Sequence, residues 1–172
     1  RSSRALVRLA QGDLGGVPPD SAGRWVYEGL FSLDNFEPRL TALTDLQNSD
    51  QLRVLTPEVR RDLAELNRIL DELERIRDDL ITSQQNLLDP YLVANVPLAP
   101  VLTLADSLPL EASLPDRPDW SALETTQLKN AIAFKLSLIK LDGLRRVELA
   151  EQLSRLVEVI DARLVELGPG AG

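Results

Sequence analysis

Apolar residues recur along two long stretches of the chain with the spacing of an α-helix, and these stretches set the expected architecture. From Pro57 onward, Val59, Leu63, Leu66, Leu70, Leu73, Leu80 and Leu87 follow steps of three, four and seven, the seam of a helix packed against another. Arg77 and Gln84 occupy polar places in that seam. Ile69, Ile76 and Ile81 widen the stripe beyond a two-stranded coil, so contact with more than one neighbour is expected. Asp89 and Pro90 should end this helix, giving it residues 57–88, because proline lacks a backbone donor and crowds the preceding turn.

The second stretch opens with Ser121 and Glu124, a capping-box pattern that places the helix start at Ala122. Leu128, Ile132, Leu136 and Ile139 form one stripe, and Leu149, Leu153, Leu156, Ile160 and Leu167 form another. Their phase changes near Gly143, where a bend is expected. Gly168, Pro169 and Gly170 close the helix at 167 and leave 168–172 as a flexible Gly-rich tail. At about 1.5 Å per residue, helix 122–167 is about 69 Å long and helix 57–88 about 48 Å. The longer helix therefore needs cover from the rest of the chain.

Three short N-terminal helices can supply part of it. The first spans 4–11 and stops at Gly12; after a Gly/Pro loop, the second spans 22–33 and turns Trp25, Val26, Leu30 and Leu33 inward; the third starts near Glu37 and Pro38 and carries Leu40, Leu43 and Leu46. A brief turn follows at 51–55. Between residues 90 and 119, six prolines alternate with many Leu and Val residues. That is too apolar for a solvated linker, so the connection is expected to run pressed against the helices. The expected fold is all-α: an elongated helical bundle built on two long antiparallel helices, 57–88 and 122–167, with three short N-terminal helices and an apolar Pro-rich connection. Residues 1–167 read as a single domain.

Composition sharpens this picture mainly by exclusion. Aromatic residues make up 4% of the chain, and Leu, Ala, Arg and Glu dominate, which favours helix over strand. The net charge of -8 disfavours phosphate backbones and anionic membranes. Cations are nearly all Arg, with Lys only at 129, 135 and 140, and they suit carboxylate pairing on helix surfaces. No apolar run reaches the roughly 20 residues that cross a bilayer. With no methionine present, an upstream segment is expected.

The chain has no histidine and no cysteine, which removes Ser/His/Asp and Cys/His nucleophile arrangements, zinc fingers and His-containing bundle metal sites. Gly12, Gly15 and Gly16 lack the Gly-Lys-Ser/Thr of a phosphate loop. The acidic clusters at Asp71, Glu72 and Glu74 and at Asp78 and Asp79 lie mostly outside the seam and read as a solvated face. No enzyme activity, cofactor or metal is expected. Three residues stand out as partner or ligand contacts. Arg77 and Gln84 could set register or partner choice from within the seam, or could lie exposed where a neighbouring helix ends. Trp25, like Trp120, could stack on a ligand or anchor the core.

Residues 41–67, with Leu46, Ser49, Leu52, Leu55 and the run Arg60 to Leu63, resemble a broad group of uncharacterised bacterial proteins. In that group an apolar helix ends in a Leu-x-x-Ser-Gly-like turn, followed by a Leu-rich turn and a long helix; here Asp50 stands where glycine is common. Residues 120–141, with Asn130 in the second turn, are similar to the group's final helix. The resemblance implies an N-terminal membrane anchor outside this chain and a domain on the periplasmic or extracytoplasmic face, with a cytoplasmic location still open. The expected function is a non-enzymatic helical interaction or scaffold domain acting on a protein partner or on itself. The alternative is an extracytoplasmic sensor that binds a small ligand between helices.

Overall fold

The computed structural model of the protein describes residues 2–11, 19–31, 45, 55–98, 101 and 119–167. The described elements are helical, with no strand among them. In chain order they are α1 (Ser2–Gln11), α2 (Pro19–Val26) running into a π-helical turn (Tyr27–Phe31), and α3 (Pro57–Ser83). A second π turn (Gln84–Leu88), α4 (Asp89–Asn95), a 3-10 turn (Ser121–Glu124) and α5 (Thr126–Leu167) complete the set. The expected third N-terminal helix, most of the Pro-rich connection and the C-terminal tail lie outside the described residues. None of the helices among them is long and apolar enough to cross a membrane.

Local chemistry explains where the two long helices begin. Thr56 caps α3: its Oγ1 accepts from the Val59 amide at 3.3 Å and its carbonyl from the Arg60 amide at 3.1 Å. Pro57 follows at the first helical position, where a missing donor costs nothing. Thr125 does the same for α5, accepting from the Leu128 amide at 3.3 Å. The start expected at Ala122 is thus corrected to Thr126. Ser121 instead sits in the 3-10 turn, and its own amide donates to the Asp119 carboxylate at 2.9 Å, which holds that carboxyl below its usual range.

A second correction concerns Pro90, because the helical course does not end there. It passes through the π turn and continues as α4 to Asn95. In the π turn the Asp89 amide bonds back five residues, to the Gln84 carbonyl, and the widened turn accommodates a proline whose ring would clash in an unbroken α-helix. The stop comes at Val96, which is extended (φ -111, ψ 134) as the residue before a proline should be. The π turn also inserts one residue into the apolar phase. Leu87, expected in the seam, is 49% exposed, and Leu88 is fully buried in its place.

The chain falls into two compact units, Arg1–Asp34 with Asp78–Lys140, and Asn35–Arg77 with Leu141–Gly172. In the first, Leu6 and Leu9 of α1, Val26 and Leu30 around the end of α2, and Leu88 and Leu92 pack with Leu123, Leu128 and Ile132. Each such side chain contributes about 1.5–3 kcal/mol by leaving water.

In the second unit Val59, Leu63, Leu66, Ile69 and Leu73 meet Leu149 and Leu156. Val59, Leu63, Leu66 and Leu73 of the expected seam are buried; Leu70 is only partly so, and Ile69 of the widened stripe is fully buried beside it. Ile160 is 42% exposed, so the C-terminal stripe is not buried along its whole length. Contacts between Asp62 and Arg155, Arg68 and Glu148, and Glu72 and Arg145 step in opposite directions along the two helices, which therefore run antiparallel within this unit. Arg68 also grips Glu65 and Glu72, and its hydrogen bond holds the Glu65 carboxyl below its usual range. Helix α5 runs through Gly143 without interruption, and a Cβ added there would meet nothing within 4 Å.

Candidate functional site

The most unusual side chain of the first unit is Lys135, a cation in the middle of an apolar stripe. It lies one turn beyond Ile132 on α5 and is 1% exposed. A buried ammonium is costly unless its protons are satisfied, and this one has three acceptors. Its Nζ donates to the Gly29 carbonyl at 3.1 Å, the Leu30 carbonyl at 3.0 Å and Gln84 Oε1 at 3.0 Å. Gly29 and Leu30 belong to the first π turn and Gln84 opens the second, so both irregular turns converge on one amine. Gln84 then uses its Nε2 to donate to the Asp89 carboxylate. Burial pushes the Lys135 ammonium down from its usual 10.5 to about 8, and the Asp89 carboxylate acts in the opposite sense.

The outer side of the second π turn lines a cleft of about 310 Å³. Asn86, Leu87, Pro90 and Tyr91 form one wall, and Gln127, Asn130, Ala131 and Phe134 of α5 form the other. Three carboxamides face apolar surface, and among the described residues no Asp, Glu, Lys or Arg is in the lining. Leu87 and Phe134 are 49% and 47% exposed. Tyr91 stiffens the junction: its hydroxyl donates to the Ala122 carbonyl at 2.8 Å and lies 2.6 Å from Thr125 Oγ1, the cap of α5. The phenol is thus occupied in fixing the two walls. Among the described residues no group of three or more metal-ligating side chains converges.

Comparison with protein families, characterised proteins and solved structures gives no match. The chain's own geometry therefore carries the functional reading.

The three residues singled out by sequence go to different places. Gln84 is 5% exposed, so it is not a seam residue left in solvent; it is the side-chain acceptor of Lys135. Trp25 packs on the apolar core of the first unit, with the Arg8 guanidinium 4.9 Å over its ring, and does not line the cleft. Arg77 is half-buried, belongs to the second unit and is likewise absent from the lining.

Sequence reading missed Lys135, Asp89 and the cleft residues. One signal for Lys135 was available: it falls seven residues after Leu128 and three after Ile132, inside the stripe. Its acceptors lie 51 to 106 residues away along the chain, beyond the reach of any local pattern.

Proposed function

We propose that this chain is a non-enzymatic helical interaction domain whose partner docks in the cleft between the second π turn and α5. The carrying observation is the lining itself: three carboxamides beside exposed Leu87 and Phe134, with no ionisable side chain among the described lining residues other than the engaged Tyr91 phenol. Carboxamides both donate and accept, so they match the alternating N–H and C=O groups of a peptide backbone. The apolar wall suits one aliphatic or aromatic side chain from the same segment. An anionic ligand would find no counter-charge among the described lining residues and would meet the repulsive field of an overall acidic protein.

Titrating the labelled protein with capped, uncharged Ala-Leu-Ala and Ala-Phe-Ala peptides tests this reading. Nuclear magnetic resonance should show saturable shifts centred on the side chains of Asn86, Gln127 and Asn130. Shifts elsewhere, or none at any concentration, would remove it. Sedimentation across protein concentration separates docking of a second protein from self-association.

A small-ligand sensor is the second reading. The cleft volume favours it, since it lies at the lower edge of small-molecule sites, which run from about 300 to 1,000 Å³. A thermal-shift screen of small uncharged amides against the intact chain tests it. The resemblance to membrane-tethered bacterial proteins supports a place on the extracytoplasmic face, held by a segment outside this chain. Protease accessibility of the domain on intact cells is the corresponding test.

A further inference from the structure

Lys135 and the cleft share one structural element. The second π turn begins at Gln84, which faces the buried amine, and its residues Asn86 and Leu87 line the cleft. Two bonds close this turn. The Asp89 amide donates to the Gln84 carbonyl, and the Gln84 side chain reaches forward to the Asp89 carboxylate. The orientation of the Gln84 amide is dictated at both ends, because an ammonium can only donate and a carboxylate can only accept. Its oxygen must therefore face Lys135 and its nitrogen Asp89.

We propose that Lys135 is a positioning residue for the cleft, acting through Gln84 to hold closed the π turn that presents Asn86 and Leu87. The proposal rests on reading the cleft as the docking site. When the ammonium gives up a proton to solvent, the amine keeps two donors and gains a lone pair, while three acceptors still face it. The Gly29 and Leu30 carbonyls are fixed in backbone. Gln84 alone can respond, by turning its amide so that nitrogen faces the amine. That rotation points its oxygen at the Asp89 carboxylate and breaks the side-chain bond across the turn.

Among the described residues, Glu28, on the segment that supplies the two carbonyls, pairs with Arg24 at 3.7 Å, and Asp89 on the facing helix is the charged group that acts on Lys135. Burial places the transition near pH 8, where neither histidine nor cysteine titrates because the chain has none.

Carbon-detected magnetic resonance of the intact chain, from about pH 6.5 to about pH 9.5, reads the coupling without relying on amide protons that exchange fast in alkali. The Gln84 and Asn86 carboxamide carbons should shift with the same midpoint as the Lys135 Cε. Asp89→Ala should abolish the Asn86 response while Lys135 still titrates, an outcome that a merely structural lysine would not give. Lys135→Met should remove every one of these shifts; should that variant fail to fold, the unmodified protein and Asp89→Ala still decide. An Asn86 signal indifferent to the Lys135 proton and to Asp89→Ala overturns the proposal.

Adding capped Ala-Leu-Ala at both ends of the range separates the two claims. Affinity that changes with the Lys135 midpoint supports positioning, and affinity independent of pH while Asn86 moves overturns it. Coupled carboxamide shifts with no peptide bound at either pH support the clamp and remove the docking reading instead.

Discussion

Raising the pH above 8 should stabilise the first unit through Lys135, a direction opposite to that expected from a cation held in place by favourable charge pairing. The folded protein holds this amine at about 8, and the unfolded chain at its ordinary 10.5. Between those values the unfolded chain binds more protons, so stability rises with pH across that window and is level below it. The whole gap corresponds to about 3 kcal/mol. The part gained between about pH 7 and about pH 9.5 is about 2 kcal/mol.

Other groups titrate as well, so the quantity to measure is a difference. Urea unfolding at several pH values would be followed by fluorescence of Trp25 and Trp120, both of which pack on the first unit's core, for the unmodified protein and for Lys135→Met. The stability difference between the two should change by about 2 kcal/mol in favour of the unmodified protein as the pH rises. A constant difference, or one moving the other way, would refute the claim that Lys135 is buried as a strained ammonium.

Three further predictions concern packing and helix geometry. Tyr91→Phe removes the hydroxyl shared by the Ala122 carbonyl and Thr125, and should cost about 1–2 kcal/mol in chemical denaturation. Ile69→Ala empties a fully buried place in the second unit and should cost about 2–5 kcal/mol by the same assay, whereas Leu70→Ala, at a partly buried place, should cost less. Gly143→Ala meets open space within a continuous helix and should stabilise the protein by about 0.5–1 kcal/mol, read as a raised thermal midpoint.

Periodicity made the helical elements legible, because a stripe of Leu and Ile at steps of three and four has no other economical reading. It could not reveal the π turn. Leu87 and Leu88 are adjacent and equally apolar, so inserting one residue into the phase leaves the pattern of letters unchanged while exchanging which leucine is buried. Pro90 then looked like a terminator because the rule that excludes it assumes an α-helical turn before it.

Near Trp120 the capping-box pattern at Ser121 placed the start of α5 four residues early. Asp119 takes the Ser121 amide and Thr125 takes the Leu128 amide, an arrangement made by local geometry that the spacing of Ser121 and Glu124 does not encode. Gln84 was visible as a polar residue in a seam. Its role was not, since the amine it serves and the carbonyls that complete the cage come from two other, distant parts of the chain.

The central claim is that the cleft binds an uncharged, amide-bearing segment through its carboxamides and Phe134. Calorimetric titration of capped Ala-Leu-Ala and Ala-Phe-Ala into the unmodified protein and into Phe134→Ala tests it most directly. Phe134 is about half exposed, so its loss should leave the unfolding temperature nearly unchanged. The account predicts saturable binding by the unmodified protein and its loss in the variant. Equal binding by both proteins, or no binding of either peptide by the unmodified one, would contradict it.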